Sequence, residues 1–233
     1  MRIYEITEAK VTPDNAILDV MDSIIDSVND EYKEFLEQND DQDDIDELAE
    51  LLNWEVEEEG LPVVVHVNHE PRKDPNEWIS AAASWEGEND KGIDIILHAK
   101  NLEGKWGPET FKQMMMRMLA HETIHFGQYD KIGKERLDKT QSGHQKGTAA
   151  MKAGGTERDW KRMYLRDPHE LMAYGNDLAS EIRDTADPDK TIRNIEAYRS
   201  ELPTYERFRD IFPKDSKQIK QLLKYTYDYY NNG

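Results

Sequence analysis

Residues 108–129 read PETFKQMMMRMLAHETIHFGQY, and the reading of this stretch decides the fold. Phe111, Met114, Met115, Met116, Met118, Leu119, Ile124 and Phe126 fall on most faces of a helix running from near Pro108 to about Tyr129. A helix that is apolar nearly all round is central and buried. Its methionines suit core filling better than a ligand role. Within that helix His121 and His125 are four residues apart, so they lie one above the other and aim two imidazoles at one point. Zinc takes such a pair with a third protein ligand and leaves a position open for water. Glu122, beside the pair, can take a proton from a water at that position and pass it to a leaving amine. Two histidines and a glutamate on a buried helix are costly to desolvate without partners, which favours a metal site over coincidence.

Outward from this helix, the chain predicts an α+β fold. Upstream, Ile17, Leu18, Val20, Met21, Ile24, Ile25, Val28, Tyr32, Phe35 and Leu36 repeat with helical spacing over 14–37, after Thr12 and Pro13. Asn39 to Asp46 is a break, and Ile45 to Leu52 forms a second short helix. Three strands follow at 63–67, 78–85 and 92–98, separated by stretches of turn composition, and predict a small antiparallel sheet. Downstream, 139–157 is rich in Gly, Ser, Thr, Lys and Gln and reads as a loop or flap. Asp167-Pro168 then caps a helix over 168–184, with two more near 190–210 and 215–230. The expected division is an acidic helical segment, 1–60, followed by a domain over 61–233 with a mainly helical C-terminal half.

The third metal ligand is open between three residues. Glu170 is preferred: it lies in the first turn of the 168–184 helix, and Ala173 one turn later permits close approach. His169 points about 100° away from it. Asp159 is a rival, since Gly155-Thr156-Glu157-Arg158-Asp159 loosely resembles the segment supplying an aspartate ligand in aspzincins, although its spacing is off by one and the Tyr-Gly ending is absent. His144 is the other rival. The spaced-histidine class is excluded, because it needs Gly and His where Gln128 and Lys131 stand. His66, His69 and His98 read as structural or surface residues.

A sheet, then the His121-Glu122-x-x-His125 helix, then a helix bearing Glu170-x-x-Ala173, resembles the gluzincin branch of the zincin metallopeptidases over residues 60–184. The gap from His125 to Glu170 is longer than in thermolysin-like enzymes. The resemblance implies Zn2+ held by His121, His125 and Glu170, with Glu122 as base and acid. It also implies an edge strand pairing with extended substrate, for which 92–98 is the candidate, and an oxyanion-stabilising Tyr, His or Arg from among Tyr164, Tyr174, His144 and Arg166. Separately, the opening from Met1 to Ala9 resembles the beginnings of some proteins in large contractile-tailed bacteriophages. There Ile6-Thr7-Glu8 fits the Ile/Leu-x-Glu pattern cut by head-maturation proteases, which implies a virion-packaged or infection-stage peptidase.

Charge narrows the partners. The chain carries a formal net charge of −19, and residues 1–60 hold 21 acidic against 3 basic residues, so nearly all of that charge lies there. Such a surface repels phosphates, which argues against a general nucleic-acid binder. A basic protein partner for the acidic segment is the natural complement. No apolar run approaches the roughly 20 residues needed to cross a bilayer, so no membrane partner is expected. The absence of cysteine excludes thiolate zinc sites and cysteine nucleophiles. With no signal-peptide pattern at the start, a cytoplasmic location is expected, virion-associated if the phage resemblance holds. The functional expectation is a zinc-dependent peptidase acting on peptide or protein. The alternatives are a catalytically silent interaction or virion-structural protein on the same fold, and a metal hydrolase of another bond, such as an amidase on cell-wall crosslinks.

Overall fold

The computed structural model describes residues 11–31, 43–72, 78–87, 90–102, 107–132 and 142–232. The expected phage-like opening, the helix beyond 31 and the first part of the expected loop lie outside these residues. The chain has two compact units, Thr12–Phe126, and Val11 together with Gly127–Gly233.

In the first unit, α1 (Asn15–Glu31) and α2 (Asp43–Glu58) precede β1 (Val63–Asn68), β2 (Ile79–Gly87) and β3 (Asp90–His98). A short α3 (Ala99–Leu102) leads to α4 (Pro108–Ile132), whose last turns belong to the second unit. Helix α1 buries Ile17, Met21, Ile24, Ile25 and Val28, and α2 buries Ile45, Leu48, Ala49, Leu52 and Val56. These recur at three- and four-residue steps, so each helix turns one stripe inward and its carboxylates outward. The strands alternate, with Val63, Val65, Ile93, Ile95 and Leu97 buried. Phe111, Met115 and Leu119 of α4 complete the same core.

Two expectations are corrected here. The acidic helices share one hydrophobic core with the sheet and α4, so the division does not fall at 60/61. Charge marks only their solvated faces; their apolar stripes bind them to the strands. The sheet is mixed, not antiparallel: its order is β1-β3-β2, with β2 antiparallel and β1 parallel to β3. A tight connection makes β2 and β3 a hairpin, whereas the long path from β1 to β3 permits parallel pairing. The α+β class itself holds, with helices dominating the rest of the described chain.

Strand β1 has its outer edge sealed by a side chain. Asn53 of α2 accepts from Val65 N–H and donates to Val65 C=O, both at 2.7 Å, imitating a neighbouring strand. Replacing it leaves a part-buried donor and acceptor unmet. Asn53→Ala is therefore expected to lower stability by about 1–3 kcal/mol in urea unfolding, and Asn53→Asp, which keeps the acceptor but sets a second carboxylate oxygen against the Val65 carbonyl, is expected to lower it as well.

In the second unit, α5 (Gly143–Lys152), α6 (Glu157–Leu165), α7 (Pro168–Arg183), α8 (Pro188–Arg193), a 3₁₀ segment (Ile195–Glu201), α9 (Pro203–Ile211) and α10 (Lys217–Asn232) follow one another. The expected helix near 190–210 is thus broken into three, with Pro203 starting the last. The 143–152 part of the expected flap is helical. Leu171, Leu178 and Ile182 of α7 form a core with Leu202, Tyr205, Phe208, Phe212, Ile219 and Leu222. Gly175 sets the approach of α10: a Cβ there would stand 2.4 Å from Tyr225 Cβ, so only glycine permits this spacing.

Candidate metal centre

Helix α4 presents His121 and Glu122 buried, and His125 half-buried one turn on. The two imidazoles meet edge to face with centroids 5.1 Å apart, as the four-residue spacing requires. Glu122 is anchored through Oε2, which accepts the Ala83 N–H of β2 at 2.7 Å. β2 lies at the edge of the sheet among the described residues, so Glu122 occupies an amide on the strand next to the site. The expectation that 92–98 is an edge strand is overturned: those residues lie in β3, which is paired on both sides.

On α7, Asp167 is the N-cap, Pro168 opens the helix, and Glu170 follows within the first turn. Asp167 joins two helix starts, its Oδ1 accepting His169 N–H at 3.0 Å and its Oδ2 accepting Gly143 N–H at 2.6 Å. This fixes the turn that carries Glu170 to the beginning of α5. Gln128, near the end of α4, donates to the His169 carbonyl at 3.1 Å. It thus holds the first turn of α7, at a position where the spaced-histidine class would need glycine. His121, His125 and Glu170 each offer one ligand-capable atom, and these atoms all lie within 4.8 Å of one another.

Neither rival joins that group among the described residues. Asp159 is a capping residue: its Oδ2 accepts Thr156 N–H at 2.9 Å and Thr156 Oγ–H at 2.7 Å. The backbone and then the side-chain hydrogen bond from Thr156 lower its pKa. His144 is exposed and stands edge-on to Trp160, with centroids 5.5 Å apart.

Of the four oxyanion candidates, Tyr164 and Tyr174 stand edge to face, with ring centroids 6.3 Å apart, and Tyr164 also stacks on Trp160 at 5.1 Å. Burial, followed by the charges of Tyr174 and Glu170, pushes its hydroxyl well above the usual tyrosine range. Arg166 ends α6 and is exposed. Arg207 was not among the residues singled out from sequence, yet it donates to Tyr174 Oη at 3.0 Å. It lies more than thirty positions away on another helix, with no local pattern to mark it.

The other histidines are structural or at the surface. His66 pairs with Asp94 and His69 with Asp46, all well exposed. His98 is buried between Ser80 Oγ at 2.9 Å and Asn68 Nδ2 at 3.2 Å. Asn68 Oδ1 accepts Glu70 N–H, so its amide nitrogen faces His98 Nδ1 and that ring nitrogen is the acceptor. His98 Nε2 therefore carries the proton and donates to Ser80. The pair is in the wrong tautomer to activate a serine.

No helix among the described residues is long and apolar enough to cross a membrane. Comparison with protein-family models, with curated proteins and with solved structures finds no match.

Proposed function

We propose that the protein is a zinc-dependent peptidase in which His121, His125 and Glu170 hold the metal and Glu122 is the general base. The supporting observation is the grouping of two imidazoles and one carboxylate within 4.8 Å. Ligands bound at about 2.0–2.2 Å around a tetrahedral ion lie within that spread, and the donor set is one that catalytic zinc uses. When bound, the metal supplies Lewis acidity that polarises a scissile carbonyl and makes water easier to deprotonate.

The chain's own residues do the rest. Ala83 N–H holds Oε2 of Glu122, and in this reading Oε1 takes up the proton. The same residue returns the proton to the leaving amine. β2, at the sheet edge beside Glu122, takes the substrate-pairing role that 92–98 was expected to fill; an extended peptide laid there gains main-chain hydrogen bonds at edge groups other than the Ala83 N–H, which Glu122 holds. The reading of a catalytically silent scaffold rests on the acidic outer faces of α1 and α2, which suit a basic protein partner.

Metal content separates the readings. Untagged wild-type protein is expected to hold about one zinc per chain, with His121→Ala and Glu170→Ala losing most of it in elemental analysis. Zinc retained in full by Glu170→Ala would remove Glu170 from the ligand set. A wild-type chain that takes up no zinc on reconstitution would overturn the proposal.

A further inference from the structure

Helix α2 carries the most exposed large apolar side chain among the described residues. Trp54 is 57% exposed, while Leu48, Leu52 and Val56 of the same helix are buried on its inner side. Among the described residues no ring or ion contact engages the indole. The helix beneath it is fixed, because Asn53, one residue earlier, fastens α2 to β1 through its two 2.7 Å bonds to Val65. A surface ordered in advance gives up little freedom when something binds to it.

The surroundings of the indole decide what can cover it. One turn before Trp54 stand Glu50 and Leu51, and one turn after it Glu57 and Glu58, with Glu47 a turn further back. Leu51 is half-buried and extends the apolar centre; the four glutamates are exposed and form its rim. None of the four enters an ion pair or a side-chain hydrogen bond among the described residues, and α2 has no Lys or Arg of its own. Helix α1 differs, since Lys112 pairs with its Asp22 and Asp26 at 2.9 and 2.7 Å. Asp46, near the start of α2, is likewise paired with His69. Uncompensated negative charge thus surrounds the tryptophan. Such a face repels phosphates, anionic lipid and a second copy of itself. Arginine suits it best: the weakly hydrated guanidinium stacks on an indole, and its donors match carboxylates.

We infer that the Leu51–Trp54 face of α2 docks an arginine-rich segment of another protein, with one cation over Trp54 and others between the flanking glutamates. This does not rest on the metal centre, because α2 carries none of the proposed ligands.

The test uses the full chain and a labelled amphipathic peptide of leucine and arginine, beside its glutamate-for-arginine counterpart. Binding is followed by fluorescence anisotropy at about 0.15 M salt, where exposed charges more than about 8 Å apart are largely screened. Wild type is expected to bind the arginine peptide and not the glutamate one. Trp54→Ala is expected to weaken binding about 10-fold or more, as loss of a central aromatic anchor does, and Trp54→Phe to weaken it less. Glu57→Lys should weaken it as strongly, whereas Asp19→Lys, the same charge change on α1, should alter it less than about 2-fold. Far-UV circular dichroism checks that each variant keeps its helices. Wild-type affinity in Trp54→Ala, or equal weakening by Glu57→Lys and Asp19→Lys, would mean a general attraction to an acidic chain and overturns the inference. Absence of binding to the arginine peptide overturns it too. So does self-association of the wild type that Trp54→Ala removes, which would give the face to a second copy.

Discussion

Glu122→Gln is expected to abolish peptide hydrolysis while leaving about one zinc per chain. A positioned general base contributes about 10²–10⁴-fold, and glutamine cannot take up the proton that this step requires. Glutamine is also nearly isosteric, and its Oε1 can still accept the Ala83 N–H that Glu122 accepts at 2.7 Å. The fold at β2 therefore survives, and a loss of activity reports chemistry and not unfolding. The measurement pairs elemental analysis with turnover on a mixed peptide substrate. A variant with wild-type turnover would remove Glu122 from the mechanism; zinc and an intact fold without turnover in the wild type would favour the silent scaffold.

Phe208→Ala is expected to destabilise the second unit by about 3–5 kcal/mol, the usual loss for a buried phenylalanine. Phe208 is fully buried and stands between Tyr174 and Phe212, with ring centroids at 5.4 and 6.1 Å. Its removal opens a cavity behind Tyr174, whose hydroxyl accepts from Arg207. The two units have separate hydrophobic cores, so denaturant unfolding is best followed with probes in each. The transition of the second unit should move to lower denaturant with its slope unchanged. An unchanged midpoint would mean that the side chain is not the packing centre described here.

What was legible in the sequence was whatever is encoded locally. The His121–His125 spacing needs only a helix, and the apolar pattern of 108–129 supplied one. Glu170 could be preferred because Asp167-Pro168 announces a helix start, and its position in the first turn follows. The parallel pairing of β1 with β3 was hidden, since strand composition carries no direction; only the lengths of the connections hinted at it. The acidic opening misled because charge is counted without regard to face: Leu48 and Leu52 are fully buried in a helix whose other side is solvated. Helix α5 was missed through its Gly, Lys and Thr content, although one signal stood in the open. Ser142 and Gln145 form a reciprocal capping box, a pattern readable from spacing alone. The remaining support was not readable: Asp167 binds Gly143 from 24 residues away, and Gly147 makes room for Trp160, whose ring would stand 2.7 Å from any Cβ there.

The bond between Glu122 and Ala83 bears on how this position can drift over evolutionary time. The residue closes a strand amide beside the candidate site, whatever comes of the base role proposed for it, much as Asn53 does on β1. A descendant released from selection for turnover would still be under pressure to keep a hydrogen-bond acceptor there, because an uncovered strand edge invites pairing between molecules. Loss of activity in such a lineage would then be recorded as glutamine at this position rather than alanine, and as relaxed choice at His121 and His125 before any relaxation at 122.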